Sequence, residues 1–505
     1  MFNRLLDFAV AHGLLAEEDR DFARNALLEA FNLVAPPADE AEGNAPLPET
    51  VGPVLAPLVD YAAAHGIIED TPYDRDRFGD HLISLILPMP SLVSRRFHEI
   101  YDAQGAEAAT DWFYAFCRAS NAIHVDAIRK NIGYFAPSPY GTLEITINLS
   151  KPEKDPREIA RQKAMPSVGY PKCMLCVENE GYAGRPGYPT HETLRTVRIS
   201  MCGAPWRLQY SPYSYYSEHC IVLNEKHVPM AITKETFSLL EDFVDQFPAY
   251  FLGSNADLPI VGGSILSHNH FQGGRHTFPI DNAPVMKWFT HPDFPRVRAG
   301  IVRWPMTCLE AQSENAEALT AFCDAVLRFW RGYDDASVGV LHETEGQPHN
   351  TITPIARKEG GVYRMKLVLR NNRTDDENPL GIFHPHANLH HIKRENIGLI
   401  EVMGLFILPG RLQSELAGLE GYLTGEKPLV QPEENDPLFK HYEWMQTVVA
   451  AHGANHTADE AKEILRQELC TVCSHVLEDA GVFKLDAEGQ AAFERFLGAF
   501  GMKEE

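Results

Sequence analysis

The segment HNHFQ at 268–272 constrains this chain more than any other part of its sequence. In a β-strand, alternate residues face the same side, so a strand here would place two imidazoles and an amide on one surface. Glycine pairs stand on both sides, at 262–263 and at 273–274. Glycine lets the backbone approach a ligand closely, and consecutive N–H groups can form an anion-binding nest. The segment therefore predicts a strand that carries a phosphate site.

His270, at the centre of this segment, has the chemistry of a nucleophile. A hydrogen bond to a backbone carbonyl can fix one ring nitrogen, which leaves the other nitrogen free to attack phosphorus. The alternative interpretation is that His268 and His270 are buried histidines with satisfied hydrogen bonds in a core strand. Because both stand beside Gln272 and between two glycine pairs, we favour a nucleophile that acts on a phosphorus centre.

The spacing of Cys173 and Cys176 is typical of half a zinc site. A structural site with four ligands needs two more nitrogen or sulfur atoms. Three downstream histidines are candidates, namely His219, His227 and His268. The alternative is a pair of reduced structural cysteines without a metal.

Three further groups stay open on the residues alone. Cys470 and Cys473 repeat the C-x2-C spacing inside a helical pattern, which favours core packing. Arg370 and Arg373 are candidates for a phosphate clamp, because guanidinium forks match phosphate oxygens, and a solvated turn is the alternative. A dense group of histidines is a candidate for a second metal or a substrate contact, or has no functional role: His384, His386, His390 and His391.

The period of the apolar residues changes twice along the chain. It is helical through about residue 131 and again from about 433, whereas the segments at 140–149, 194–200, 218–224 and 362–370 alternate like strands. The segment 233–251 predicts a helix. We therefore expect an α+β fold. Its expected parts are a helical N-terminal region at 1–131, strand-rich units at 132–290 and 291–432, and a helical C-terminal extension at 433–505.

The N-terminal region contains an internal repeat. DFAVAHGLL at 7–15 recurs as DYAAAHGII at 60–68. In both copies an apolar helical pattern ends in His-Gly, which suits the helix dipole and a left-handed cap. We interpret His12 and His65 as structural. The segment 35–50 between the copies is rich in proline and acidic residues and predicts a loop.

Charge and cysteine content narrow the function classes. Lys plus Arg number 45 and Asp plus Glu number 69, so the formal net charge is −24. An acidic surface disfavours nucleic acid and anionic membranes but still allows a phosphorylated small molecule inside a cleft. The nine cysteines are an odd number without a secretory pattern, which favours a reducing cytoplasm. No apolar run is long enough to predict a membrane span.

At this point the motifs resemble a known family. The H-x-H-x-Q pattern is similar to the transferase branch of the histidine-triad superfamily, in which Gln replaces the last His. SNADLPIVGGSILSHNHFQGGRH, YPKCMLCVENEGYAGR and HHIKRENIGLIEVMGLFILPGRL resemble galactose-1-phosphate uridylyltransferases of the second, mainly bacterial, class. These blocks spread from Tyr170 to Leu412, so the similarity extends over a long central part of the chain.

The resemblance implies two fused histidine-triad-like units with antiparallel sheets, at 132–290 and 291–432, the first of which holds the nucleophile strand. It also implies a ping-pong reaction. UDP-glucose gives its UMP group to a histidine and releases glucose 1-phosphate, and galactose 1-phosphate then takes the UMP to become UDP-galactose. We expect no organic cofactor, a homodimer and a cytoplasmic location.

The resemblance also implies roles for single residues. By motif position, His270 is the nucleophile and Gln272 is an amide that contacts the phosphate. Asn255 and Ser264 stand within a residue or two of the uridylyl-binding residues of the better-studied first class. The other expected substrate contacts are Gly263, Arg275, Arg370 and Arg373.

A zinc site is implied in the same way. Cys173, Cys176, His227 and His268 match the zinc ligands of the first class in order, and the expected zinc is structural. His227 is preferred to His219 because the segment CIVLNEKH at 220–227 resembles the strand-end histidine of the superfamily. Position 269 is Asn here, whereas the first class has Pro.

Two other functions remain as alternatives. A dinucleoside polyphosphate phosphorylase of the same superfamily would also resemble H-x-H-x-Q. A catalytically silent nucleotide sensor belongs to a different class and would be expected to have lost its chemistry. His270 and Gln272 are both present, which favours the enzyme.

Overall fold

The computed structural model describes residues 2–36, 46–150, 168–263 and 265–505. These residues fall into two compact units. The first contains residues up to 130, then 150–229 and 267–275, and the second contains 131–149, 230–266 and 276–505. Most of the loop expected at 35–50 lies outside the described residues, as does Ser264. The division into four sequence segments stays a prediction.

Helices are concentrated near the two ends of the chain. They are Phe2–Ala11, Arg20–Ala30, Gly52–Ala64, Pro72–Ser84, Pro90–Gln104, Ala106–Ala119, Val125–Ile128, Lys234–Gln246, Ala316–Trp330, Leu399–Val402, Leu412–Thr424, Tyr442–His452, Ala458–Ala480 and Ala487–Phe500. None of the described helices combines the length and the apolar character needed to cross a bilayer.

The strands lie mainly between these helical ends. They are β1 (Ile132–Ser138), β2 (Gly141–Asn148), β3 (Val197–Met201), β4 (Ala204–Tyr210), β5 (Cys220–Asn224), β6 (Phe251–Gly253), β7 (His270–Gly274), β8 (Val285–Thr290), β9 (Arg298–Val302), β10 (Cys308–Ser313), β11 (Glu343–Thr344), β12 (Gln347–Pro348), β13 (Asn350–Glu359), β14 (Val362–Asn371), β15 (Leu405–Pro409) and β16 (Lys503–Glu504). Helical ends around mainly antiparallel sheets confirm the expected α+β class.

The N-terminal repeat forms two helices that end in the same way. In each copy the histidine Nδ1 lies 2.9 Å from the carbonyl oxygen four residues earlier, that of Phe8 for His12 and that of Tyr61 for His65. The next residues, Gly13 and Gly66, have φ of +68° and +70°. Glycine adopts this left-handed conformation without steric cost, so the interpretation of the repeat as capped helices is confirmed.

The first unit contains four strands that pair antiparallel in the order β7-β5-β4-β3. Phe271 of β7 is buried and stacks on Trp206 of β4 at 5.2 Å between ring centroids. Because side chains alternate along a strand, His270 and Gln272 face away from this aromatic pair. The core contact of Phe271 therefore fixes the side of these strands on which His270 and Gln272 lie.

The strands of the second unit form a longer antiparallel series in the order β6-β13-β14-β10-β9-β8-β16. Two helices pack against it, Lys234–Gln246 and Ala316–Trp330. The first of these ends five residues before the end of its predicted segment. Phe247, which precedes Pro248, has φ −127° and ψ 69°, because a residue before proline is driven out of the helical region.

A smaller sheet of the second unit contains β1, β2 and β15. The β1–β2 pair is antiparallel, whereas β15 runs parallel to β2. The helix Ala458–Ala480 packs on β1. It buries both Cys470 and Cys473, which confirms that this second C-x2-C spacing serves core packing.

Candidate active site and metal centre

The strand of the H-x-H-x-Q motif, β7, begins at His270, two residues later than the motif suggested. On the neighbouring strand β5, Leu223 lies opposite His270 and Ile221 lies opposite Gln272. His268 precedes the strand in a bend. The H-x-H-x-Q motif is therefore split, since His270 and Gln272 share one strand face, whereas His268 belongs to the loop that leads into it.

The His270 ring is held in one orientation by the backbone. Its Nδ1 lies 2.8 Å from the carbonyl oxygen of His268, and a carbonyl can only accept, so Nδ1 carries the proton and donates it. The ring is 7% exposed, and burial lowers the pKa of His270 because it disfavours the imidazolium. His270 is thus a neutral imidazole whose Nε2 keeps its lone pair, which is the form a nucleophile needs.

Gln272 has a neighbour that the sequence did not assign to it. Nε2 of His219 lies 3.2 Å from Oε1 of Gln272. His219 is 3% exposed, and burial lowers its pKa to about 4, so the ring is neutral at neutral pH. From the sequence His219 was considered only as a metal ligand. One sequence feature could have indicated this contact. His219 stands at the start of a strand-like segment, which can pair with the strand that contains Gln272.

Four predicted metal ligands meet in the first unit. Within the described residues, Cys173, Cys176, His227 and His268 are the one group of three or more His, Cys, Asp or Glu arranged to share a metal ion. Their ligand atoms all lie within 4.8 Å of one another. The closest separations are 3.1 Å, from Cys176 Sγ to His227 Nδ1, and 3.3 Å, from Cys173 Sγ to His268 Nδ1.

This donor set fits a tetrahedral zinc ion. With bond lengths of about 2.0–2.3 Å, such an ion holds its ligand atoms roughly 3.4–3.8 Å apart. The two sulfurs are 3.6 Å apart, as are Cys173 Sγ and His227 Nδ1. Nε2 of His268 lies 2.8 Å from the carbonyl oxygen of Asn224, which fixes the proton there and leaves Nδ1 free as a ligand.

Two residues outside the ligand set shape the cysteine turn. Nδ2 of Asn179 donates to the carbonyl oxygens of Cys173 and Cys176, at 2.9 and 2.8 Å. The Tyr188 hydroxyl donates to Oδ1 of Asn179 at 2.7 Å and is also 3.1 Å from the Cys173 carbonyl oxygen. Asn179 is 1% exposed. Sequence reasoning missed both residues, because neither has a ligand atom nor stands in a recognisable spacing.

Asn255 and Gly263 lie together in the second unit. Oδ1 of Asn255 accepts from the backbone N–H of Leu399 at 2.8 Å. A Cβ added at Gly263 would lie 2.7 Å from Nδ2 of Asn255, and one at Gly262 would lie 2.6 Å from two carbonyl oxygens. The first glycine pair is therefore required where the chain folds closely back on itself. Ser264 lies outside the described residues.

The three predicted arginine contacts all have protein partners. In the first unit, Arg275 pairs with Asp111 at 2.6 Å and with Glu218 at 3.2 Å. In the second unit, the buried Arg370 donates to the carbonyl oxygen of Ile397 at 3.0 Å, and burial lowers its pKa to about 10. Arg373 donates to the carbonyl oxygen of Gly339 at 2.7 Å. These contacts hold the guanidinium groups in place within the protein.

The C-terminal histidines are spread over separate contacts. Nδ1 of His384 and Nε2 of His390 both lie near the carbonyl oxygen of Pro385, at 3.1 and 2.8 Å. His386 faces Asp479 at 3.4 Å. His391 is 2.8 Å from His441. They do not form a shared metal cluster among the described residues.

Comparisons with known proteins bear on the whole chain. The family profile described as "Galactose-1-phosphate uridyl transferase, N-terminal domain" matches residues 39–229, and the profile of the C-terminal domain of the same family matches residues 241–435. A galactose-1-phosphate uridylyltransferase of Caldanaerobacter subterraneus subsp. tengcongensis is 50% identical over 99% of this chain and 97% of its own length. One of Fusobacterium nucleatum is 45% identical over 99% of this chain and 98% of its own length.

Proposed function

The chain belongs to the galactose-1-phosphate uridylyltransferase family, and from this premise we propose how its own residues carry the reaction. The enzyme is a nucleotidyltransferase that converts UDP-glucose and galactose 1-phosphate to UDP-galactose and glucose 1-phosphate. His270 is the residue that holds the uridylyl group between the two half-reactions. The observation that carries this assignment is the hydrogen bond from its Nδ1 to the His268 carbonyl, which directs the lone pair of Nε2 away from the backbone.

In the first half-reaction, Nε2 of His270 attacks the α-phosphorus of UDP-glucose. A phosphorus–nitrogen bond forms as the bond to the bridging oxygen breaks, and glucose 1-phosphate leaves with the electron pair of that bond. In the second half-reaction, a phosphate oxygen of galactose 1-phosphate attacks the same phosphorus. The phosphorus–nitrogen bond breaks, and His270 regains its lone pair.

Gln272 contacts the transferring phosphoryl group from the same face of β7. The leaving groups are phosphate anions near neutral pH, so they need no proton from a general acid. An amide is sufficient, because its N–H can donate to a phosphoryl oxygen as charge shifts in the transition state. This choice of residue favours transfer over efficient hydrolysis.

A zinc ion bound by Cys173, Cys176, His227 and His268 is structural in this proposal. It would supply no step of the reaction and would hold the loop before β7 in place. His268 would link the two sites, because its ring would be a ligand and its carbonyl oxygen accepts the hydrogen bond of His270.

The remaining assignments complete the proposal. Substrate contacts come from Asn255, Gly263, Ser264, Arg275, Arg370 and Arg373. The enzyme is a cytoplasmic homodimer that uses no organic cofactor and binds neither nucleic acid nor membrane. The net charge of −24 supports the last two statements, because both of those surfaces are anionic.

A burst experiment tests the proposed function. Mixed with UDP-glucose alone, the enzyme should release glucose 1-phosphate in an amount equal to the active sites and then stop until galactose 1-phosphate is added. The absence of a burst, together with phosphorolysis of a dinucleoside polyphosphate, would instead assign the chain to the phosphorylase branch of the superfamily.

A further inference from the structure

The amide of Gln272 has two ends with opposite chemistry, and only one of them can help the reaction. Its N–H groups can donate to a phosphoryl oxygen, whereas its carbonyl oxygen would repel one. Rotating the amide by half a turn exchanges the two ends with little change in shape. A transferase that uses this residue therefore needs something that keeps the oxygen away from the substrate.

His219 occupies the position from which this can be done. Its Nε2 lies 3.2 Å from Oε1 of Gln272. Its other ring nitrogen, Nδ1, is buried and has no hydrogen-bond partner among the residues that the structure describes. A neutral imidazole carries one N–H, and leaving that N–H buried without an acceptor is costly. The proton therefore belongs on Nε2, where the oxygen of Gln272 accepts it.

The surroundings hold the His219 ring in this place. The rings of Tyr215 and Tyr216 lie against it, with centroids at 5.4 and 4.6 Å. Two residues after Gln272, a Cβ at Gly274 would lie 2.6 Å from the carbonyl oxygen of Glu218, the residue before His219. Gly274 also has φ of +149°. The end of β7 and the start of β5 thus approach so closely that His219 and Gln272 have little freedom to separate.

We propose that His219 is a positioning residue whose ring N–H fixes the Gln272 amide with its NH2 group toward the reacting phosphate. The inference rests on the phosphate contact proposed for Gln272. His219 itself touches neither substrate nor the reacting atoms and acts through Gln272 alone. Its effect therefore depends on the presence of the Gln272 amide.

A double-mutant cycle tests this dependence. Uridylylated enzyme is formed with UDP-glucose, isolated, and mixed with saturating galactose 1-phosphate, and its single-turnover decay gives the transfer rate. His219→Phe keeps a buried ring but has no N–H. We expect it to slow transfer by roughly 10-fold, which is less than the loss expected when the Gln272 donor itself is removed. His219→Gln places an amide N–H at a similar reach and should restore most of the rate. In the Gln272→Ala background, His219→Phe should cause no further slowing.

Three controls keep the result interpretable. His124→Phe is a matched substitution of another neutral histidine of the first unit, which is half-buried with its ring centroid 5.0 Å from that of Tyr213, and it should leave the transfer rate unchanged. Melting temperatures show that each variant is folded. If His219→Phe does not fold, His219→Met, which also has no N–H donor, takes its place in the cycle.

Each contrary result has a distinct meaning. Wild-type transfer by the folded donor-free variant, or equal slowing in both backgrounds, would overturn the positioning role and leave the proposed function intact. Wild-type transfer by Gln272→Ala would overturn the role of Gln272 and this inference with it, while His270 would stand as nucleophile. Failure of the wild-type enzyme to form an adduct would overturn the proposed function itself.

Discussion

His270 and Gln272 stand two residues apart on one strand, yet different neighbours fix their side chains. The ring of His270 donates to the carbonyl oxygen of His268, and the amide of Gln272 lies against the ring of His219. In the proposed mechanism, a hydrogen bond decides in both cases which atom is left for the substrate. At the scale of single residues, the proposed roles of His270 and Gln272 depend on their hydrogen-bond partners as well as on the side chains themselves.

Substituting Gln272 tests this dependence at the phosphate. Gln272→His should still form the uridylyl adduct, because His270 is untouched, but should slow transfer to galactose 1-phosphate by roughly 10²-fold. A neutral imidazole presents a different donor geometry at this position. The measurement is the decay of the isolated adduct with and without galactose 1-phosphate. Unchanged transfer in both Gln272→His and Gln272→Ala would mean that this side chain does not contact the reacting phosphate.

At the scale of elements, much of the local structure follows from short patterns in the sequence. Strands expected at 140–149, 194–200, 218–224 and 362–370 are present as β2, β3, β5 and β14. The His-Gly endings of the repeated helices also follow from local rules, because the cap needs only residues next to it. These successes share one property, which is that the deciding interaction lies within a few residues.

What the sequence could not supply depends on distant partners. His268 has strand spacing to His270, but its ring is directed toward cysteines about 95 residues earlier, so it lies in a bend outside the strand. His219 and Gln272 are 53 residues apart, and only the register of β5 against β7 brings them together. No local pattern reports such a register.

A buried glutamate between two helices of the second unit should make the free energy of unfolding depend on pH. Glu241, on Lys234–Gln246, accepts the hydroxyl of Thr320, on Ala316–Trp330, at 2.7 Å, and burial raises its pKa to about 8. An unfolded glutamate has a pKa of about 4.3. The folded protein therefore binds the proton of Glu241 more tightly than the unfolded chain does. The resulting contribution to the free energy of unfolding is fully present below about pH 4.3 and is lost as pH rises toward 8.

Glu241→Gln should remove this dependence while keeping the shape of the side chain. Relative to wild type, its free energy of unfolding should increase steadily between pH 5 and pH 8 and level off above. Urea denaturation at a series of pH values measures the difference. Glu235→Gln, an exposed glutamate on the same helix, is the control and should show no such trend. A constant difference for Glu241→Gln across this range would mean that Glu241 is ionised in the folded protein.

At the scale of the whole molecule, the chain contains two compact units. The cysteine and histidine cluster belongs entirely to the first unit. If it binds zinc, the ion stabilises that unit directly, because metal binding to a folded site adds to folding free energy. No described residue of the second unit belongs to the cluster.

Removing the metal should therefore destabilise the first unit. Chelation should raise hydrogen exchange in peptides around 170–182, 220–230 and 266–274 and leave β13 and β14 protected. Cys173→Ser with Cys176→Ser should lose zinc in metal analysis and melt earlier, by roughly 2–4 °C for each kcal/mol lost. The matched control is Cys470→Ser with Cys473→Ser, a buried pair of the same spacing that should retain zinc. Full activity and unchanged exchange in metal-free wild-type enzyme would contradict the structural role.

The most direct test of the account is to locate the uridylyl group. The enzyme is mixed with UDP-glucose, digested, and analysed by mass spectrometry, with His270→Ala treated in the same way. We predict one uridylyl group on the peptide that contains His270, with fragmentation assigning it to that ring, its loss on addition of galactose 1-phosphate, and no adduct in His270→Ala. An adduct on His268 or His219, or one that persists in His270→Ala, would contradict the assignment of His270 as the nucleophile.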